Sequence, residues 1–192
     1  DRLCDAALKA SKNGQQFCDY LRLLQYSGGR LTETLRLRWL DVNWAQEQLV
    51  IGADGESKNH EARHVDFNPS LEAHLVDMHR RRDPSSIWIF PSPQRGKRDI
   101  PSKSFRETLL LAREEAGLEH VGFHDTRHHF ISMGVMAGID YMTIAAWVGH
   151  KDGGILIGKV YGHLANEHRQ RAAQKLVLGT GGIIKGGKGI AA

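Results

Sequence analysis

Cysteine is scarce in this chain, Cys4 and Cys18 being the two present. Both alternate with apolar neighbours and read as buried free thiols, because a disulfide framework or a zinc site needs more ligands at tighter spacing. Reducing, intracellular surroundings follow as the default. No apolar run approaches the ~20 residues that a membrane helix requires. No basic start leads into an apolar stretch, so nothing reads as a signal peptide. Clustered carboxylates of the kind a metal-dependent nuclease needs are missing, and so is a nucleotide-binding loop. Neither charge sign dominates: 26 Lys and Arg face 22 Asp and Glu, a formal net charge of +4. That mild basic excess permits a nucleic-acid partner by counterion release without demanding one.

What is present fits a globular protein, with 41% apolar and 25% charged residues. A length of 192 residues accommodates one domain and a tail. The chain opens on Asp1 rather than a methionine, which reads as a fragment of something longer. Helical spacing of Phe17, Leu21 and Leu24 predicts a helix over 15–26, stopped by Ser27-Gly28-Gly29. A second helix, capped by Thr32, is predicted with Leu31, Leu35 and Trp39 on one face. Segments 48–52 and 62–67 read as two strands of a hairpin about Asp54-Gly55, and Ile87 to Phe90 as a third short strand. Helices are predicted from Pro69 to about Arg82 and from Pro101 to about Gly117, the latter with Phe105, Leu109 and Ala112 inward. Four more follow over 124–137, 140–148, 155–161 and 165–178, with Gly138 and Gly149 as stops. A glycine-rich mobile tail is predicted over 179–192. The fold class is therefore mainly α with a small antiparallel sheet (α+β).

Histidine is abundant, and six of the eleven fall between His120 and His163. Four segments draw the chemistry together. In Ser27-Gly28-Gly29-Arg30-Leu31-Thr32-Glu33, Arg30 sits at a tight turn before a helix, where a planar guanidinium suits a phosphate. Lys58 stands in the hairpin connection of Ser57-Lys58-Asn59-His60-Glu61-Ala62-Arg63, long enough to reach into a cleft. In Gly122-Phe123-His124-Asp125-Thr126-Arg127-His128-His129, His124 and Arg127 lie one turn apart on a helix that Asp125 is placed to cap. His124 and His128 also have the spacing of a zinc pair. No accompanying HExxH glutamate is present, and Arg127 would repel the cation, so no metal is expected. Last come Gly149-His150 and Val160-Tyr161-Gly162-His163. Each segment alone fits an ordinary surface or packing role.

Gly-x-Arg-x-x-Glu, a hairpin lysine, His-Asp-x-Arg-His, Gly-His and Tyr-x-His, in that order over about residues 20–170, resemble the catalytic domain of the tyrosine recombinases, the phage integrase family. The resemblance implies the DNA breaking-rejoining fold over residues 1–178, without the amino-terminal core-binding domain that family members carry. It implies a catalytic set of Arg30, Lys58, His124, Arg127, His150 and Tyr161, working with no cofactor and no metal. Tyr161 would attack a scissile phosphate to give a 3′-phosphotyrosine, and Arg30 and Arg127 would clamp its oxygens. Lys58 would protonate the departing 5′-oxygen. His124 and His150 would bind the phosphate, His124 being also able to take the tyrosine proton. The positive surroundings should favour the phenolate of a residue whose ordinary pKa is about 10.

Thr126, where the family usually has leucine, and His129, where it has a small polar residue, depart from the pattern. So does the spacing from His150 to Tyr161, a residue or two longer than is typical of the family, which Gly153-Gly154 can absorb. The implied partner is double-stranded DNA. On it the full-length protein would assemble as a homotetramer, whereas the fragment alone would be monomeric and bind weakly. Helix 165–178 would pack on its own domain or on a neighbour. Arg95, Lys97 and Arg98, with Lys103 and Arg106, are the residues expected to contact DNA phosphates. The implied location is the bacterial cytoplasm, at the nucleoid. A type IB topoisomerase would share the chemistry but relax arbitrary plasmids, and a non-catalytic DNA-binding relic would tend to lose part of the catalytic set.

Overall fold

Where the chain turns at Ser27-Gly28-Gly29, it makes the bend on which the later site depends. A computed structural model describes residues 1–53, 62–94, 99–165 and 173–174. Helices α1 (Arg2–Ala10) and α2 (Gly14–Ser27) come first. Gly28 ends α2 with φ +62° and donates its N–H to Leu24 O, a left-handed cap that a residue with a Cβ adopts reluctantly. The Ser27 hydroxyl donates back to Leu23 O and accepts from Gly29 N, which sharpens the turn. The fully buried Tyr20 donates its hydroxyl to Leu31 O at 2.6 Å and so anchors the far side of the bend.

The second predicted helix is much shorter than expected. Helix α3 covers Leu31–Thr34 alone, with Arg30 rather than Thr32 at its cap position, and a 3-10 turn follows at Trp39–Asp41. The cause is tertiary: Trp39 N donates to Ile87 O and Ile89 N to Leu37 O, so this backbone bonds outward instead of along a helix. The same bonds account for 87–90, which pairs with 37–39 through an isolated bridge, Arg38 to Trp88, and adds no strand to the sheet. The third strand is instead β1 (Val42–Asn43), beside β2 (Gln48–Ile51) and β3 (Arg63–Asp66) in the order β1-β2-β3, all antiparallel. Leu49, Ile51 and Val65 all lie buried within the main core, as period-two alternation requires.

Helix α4 (Pro69–Arg81) begins as its sequence indicates, with proline at its first turn and the Asn68 side chain accepting from Leu71 N. Asn68 Nδ2 also donates to Tyr26 O, tying α4 to α2. Helix α5 (Arg106–Ala116) starts later than Pro101, because Ser102 N donates to Phe90 O and Pro101 bridges Pro91 in extended backbone. Its inner residues Phe105, Leu109 and Ala112 are buried as expected. Helices α6 (Phe123–Ala137), α7 (Tyr141–Val148) and α8 (Ile155–Tyr161) lie close to their predicted bounds. Asp125 is not the cap of α6. That position is Gly122, and the Asp125 carboxylate accepts from Gly122 N at 2.7 Å from within the first turn. Helix α1 had no counterpart in the sequence reading. The helix expected over 165–178 and the tail at 179–192 lie, apart from Ala165, Ala173 and Gln174, outside the described residues.

Two apolar clusters result. The larger joins α1, α2, α4, α5 and the sheet around Phe17, Tyr20, Phe90 and Phe105; the smaller joins α6, α7 and α8 around Ile131, Ile144, Val148 and Ile157. Cys4 and Cys18 are free and buried in the larger, and burial pushes the Cys18 thiol up to about 12. None of the described helices is long and apolar enough to cross a membrane.

A Cβ at Gly28 would lie 2.5 Å from the Phe130 ring of α6, besides requiring the left-handed backbone. Gly28→Ala should therefore lower the urea unfolding free energy by more than the ~1–2 kcal/mol of the backbone conformation alone. A drop of under ~1 kcal/mol, less than that backbone term, would show that Phe130 yields freely and that the bend is not fixed by this approach.

Candidate functional site

Each helical carbonyl is bonded to an amide four residues on, except in the last turn, where carbonyls stay open and carry partial negative charge. At the end of α7 three arginines fill that vacancy. Arg63 Nε donates to Trp147 O at 2.9 Å, Arg127 Nη2 to Val148 O at 2.7 Å and Arg30 Nη2 to Gly149 O at 2.9 Å. They come from β3, from α6 and from the bend before α3. Arg127 Nη1 also donates to Gly28 O at 2.7 Å, so one guanidinium links the α2 cap to the α7 cap.

Gly149 makes the convergence possible. It has φ +72°, and a Cβ there would stand 3.0 Å from Arg63 Cδ and 3.4 Å from Arg30 Nη1. Three cations this close repel one another, and Glu33 offsets part of that. Its Oε1 lies 3.1 Å from Arg30 Nη1 and its Oε2 lies 2.7 Å from Arg63 Nη2, the side chains of the second pair being almost wholly enclosed. Burial, then Arg30 and Arg63, bring Arg127 down to about 10, which leaves it charged at neutral pH. Arg63 is lowered chiefly by burial, against the pull of Glu33.

Beside this cluster lies a cavity of about 150 Å³ lined by His124, Arg127, His128, His150, Tyr161 and the apolar side chains of Ile131, Leu156 and Val160. Four of the six residues singled out from the sequence therefore meet at one place: His124 and Arg127 on one face of α6, His150 just beyond α7, and Tyr161 in the last turn of α8. Arg30 adjoins them through Gly149 without lining the cavity. Lys58 lies outside the described residues. So do Arg95, Lys97 and Arg98, while Lys103 and Arg106 are exposed on either side of the buried Phe105. A larger cavity of about 360 Å³ on another side of α6, lined by Tyr26, Phe67, Phe130, Met133 and Trp147 among others, is mostly apolar and shares no lining residue with the cavity beside Tyr161.

His150 is half-buried, and burial followed by Arg127 lowers its pKa, so its ring is neutral at neutral pH; its buried Nδ1 has no hydrogen-bond partner among the described residues. Tyr161 departs from the sequence expectation. Its pKa is raised, not lowered, because burial outweighs the attraction of Arg127. The guanidinium of Arg127 is directed at two backbone carbonyls, and Arg30 is turned to Glu33 and Gly149 O, so the phenol stays protonated.

A sequence profile described as that of the phage integrase family matches residues 1–168. The chain belongs to the phage integrase family. No curated protein sequence matches it. Solved structures with a similar fold include XerA recombinase, at 19% identity and a TM-score of 0.61 over 91% of this chain and 61% of that one. Another is the Tn1549 transposon integrase in complex with a circular intermediate DNA, at 15% identity and 0.64 over 85% of this chain and 61% of that one. A lambda integrase dimer bound to a COC′ core site matches at 18% identity and 0.61, over 79% of this chain and 55% of that one. The chain thus spans about three fifths of the length of these relatives, and its fold is the phage integrase catalytic-domain fold.

Three side chains at this phage integrase site were given no role by the sequence reading. Glu33 belongs to the Gly-x-Arg-x-x-Glu pattern, which said nothing of its ion pairs. Arg63 is placed by β-register opposite Ile51, a tertiary fact with no local signature. His128 did have a signal, its i, i+4 spacing from His124, but that spacing pointed to metal and not to Tyr161. Removing Arg63 leaves the buried Glu33 with Arg30 as its remaining partner. Arg63→Ala should destabilise the fold toward the lower end of the ~3–5 kcal/mol typical of broken buried pairs. Arg63→Lys should recover part of this, since it restores the charge but not the bond to Trp147 O. Equal urea midpoints for Arg63→Ala and the parent would show that Glu33 does not depend on the pair.

Proposed function

We propose that this chain is the catalytic part of a site-specific DNA recombinase or integrase that cleaves and rejoins strands through a 3′-phosphotyrosine. The observation that carries the reading is one cavity lined by Tyr161 together with His124, Arg127 and His150, with Arg30 one carbonyl away. Tyr161 Oη attacks the scissile phosphorus, the bond to the 5′-oxygen breaks, and Lys58 supplies the proton that oxygen takes. Arg30 and Arg127 hold the non-bridging oxygens, and His124 and His150 hydrogen-bond them. Rigid donors of this kind, fixed before substrate arrives, are worth about 10²–10³ in rate apiece. The covalent bond conserves the phosphodiester's energy, so rejoining needs no nucleotide. The full-length protein acts on double-stranded DNA as a homotetramer, in the cytoplasm at the nucleoid.

The test incubates the full-length product of the gene with nicked duplexes tiled from the DNA flanking it, so that a cleaved strand cannot be religated. A denaturation-resistant protein–DNA band is expected, absent in Tyr161→Phe and reduced at least about 10²-fold in Arg127→Ala. A band persisting in Tyr161→Phe would mean another residue is the nucleophile. The phosphate-contacting set is tested separately. Replacing Arg95, Lys97 and Arg98 together with alanine should weaken DNA binding and flatten its salt dependence, by roughly one in log–log slope for each phosphate that is no longer neutralised. An unchanged slope would remove these residues from the interface.

A further inference from the structure

We propose that His128 is a further catalytic residue, whose Nδ1 takes the proton of the Tyr161 hydroxyl as that oxygen attacks phosphorus. This rests on the reading of Tyr161 as nucleophile and assigns the base that reading leaves open. The hydrogen bond made by the Tyr161 hydroxyl goes to His128 Nδ1, and not to His124 or His150. The contact joins the last turn of α8 to the second turn of α6, so both ends are held by regular backbone.

The other groups at the cavity are engaged differently. Arg127 is bound to two carbonyls and has no lone pair to accept a proton. His150 is half-buried, with an Nδ1 that makes no hydrogen bond among the described residues. His124 stands edge-on to His128, ring centres 4.6 Å apart and planes at 89°, one turn nearer the start of α6. That leaves His124 for the phosphate and His128 for the nucleophile.

For Nδ1 to accept, the ring must carry its proton on Nε2. His128 is exposed, so the imidazolium formed in the step can exchange its proton with solvent. The ionisable groups sharing the cavity are His124 and Arg127 on α6, His150 beyond α7 and Tyr161 on α8. The 3-10 turn Gly162–Ala165, also packed on α6, carries His163. Among the described residues, α2 contributes no ionisable side chain to the lining.

In cleavage, the Oη–P bond forms, the P–O5′ bond breaks, the phenol proton moves to His128 Nδ1, and Lys58 protonates the departing 5′-oxygen. In rejoining, the 5′-hydroxyl attacks phosphorus and gives its proton back to Lys58, the Oη–P bond breaks, and the His128 imidazolium protonates the leaving tyrosine oxygen.

The experiment measures single-turnover cleavage of the suicide duplex by full-length protein across pH. His128→Asn is the main variant, because its amide occupies the place of Nδ1 and keeps a hydrogen bond to the hydroxyl while being unable to titrate. We expect the parent rate to rise with pH and then level. His128→Asn should be slower by about 10²-fold or more, the usual contribution of a positioned base, and should lose that rise. His124→Asn, though slowed, should keep it. A substrate with sulfur in place of the bridging 5′-oxygen, whose thiolate departs without a proton, should rescue Lys58→Ala but not His128→Asn.

Parent rate and pH profile in His128→Asn would overturn the proposal, since positioning alone would then explain the contact. Faster cleavage would overturn it too, marking the contact as a restraint on the resting nucleophile. Rescue of His128→Asn by the sulfur substrate would place His128 on the leaving group instead. Tyr161→Phe run in parallel separates the two levels. If it still forms the covalent band, the underlying reading fails; if it is inactive while His128→Asn behaves as the parent, this inference alone fails.

Discussion

Three guanidinium groups around one helix end set the form of this site. Like charges about 4 Å apart repel by roughly 4 kcal/mol at the effective dielectric of a protein surface. Such a cluster persists only where something of opposite sign is built into the scaffold. Here it is the last turn of α7, whose carbonyls at 147, 148 and 149 each accept from one arginine. Glu33 adds a full negative charge between Arg30 and Arg63. The helix end is thus capped by side chains from three other elements, and its capping is also what brings those elements together.

That arrangement joins the two apolar clusters of the fold. Helix α7 belongs to the smaller cluster, while the bend before α3 and strand β3 belong to the larger. Trp147 strengthens the join, its indole N–H donating to Asp66 at 2.7 Å. Displacing α7 would therefore open both the cluster and the cavity beside it. A site whose positive charge is fixed by backbone carbonyls also needs little rearrangement when a phosphate arrives, which is the condition under which electrostatic stabilisation of a transition state is most effective. Gly149 sits where the arginines crowd, and any side chain there would meet Arg63 and Arg30 at once.

Much of this could be read from the sequence, because it is written in local signals. Glycines at 28, 138 and 149 end helices in left-handed caps, and the apolar stripe of 105, 109 and 112 faces inward. Of the six residues the ordered motifs named, His124, Arg127, His150 and Tyr161 line one cavity and Arg30 adjoins it, while Lys58 lies outside the described residues. What escaped was decided at a distance. Residues 35–39 have helical periodicity but bond to 87–89, and Pro101 would suit a helix start yet lies in extended backbone against Pro91. Arg63 reads as one more charge in a polar stretch until register sets it opposite Ile51 and beside Glu33. The protonation of Tyr161 was misjudged for a related reason. Counting nearby cations ignores where each directs its N–H groups, and two of them are turned to carbonyls and a carboxylate.

The neutral phenol has a consequence for how the charge of the reaction is distributed. A site that simply lowered the tyrosine pKa would hold a phenolate against the arginines before DNA arrived, and that anion would compete with the phosphate for them. Burial prevents this, keeping Tyr161 uncharged and the guanidinium field available. In the proposed reaction the proton must then leave during the attack, and it needs an acceptor within hydrogen-bond reach that is not engaged by the phosphate. Position 128 meets both conditions: it lies one turn along α6 from His124, in contact with the hydroxyl and open to solvent. In the proposed reaction the two histidines at i and i+4, edge-on with ring centres 4.6 Å apart, would divide phosphate binding and proton transfer between them.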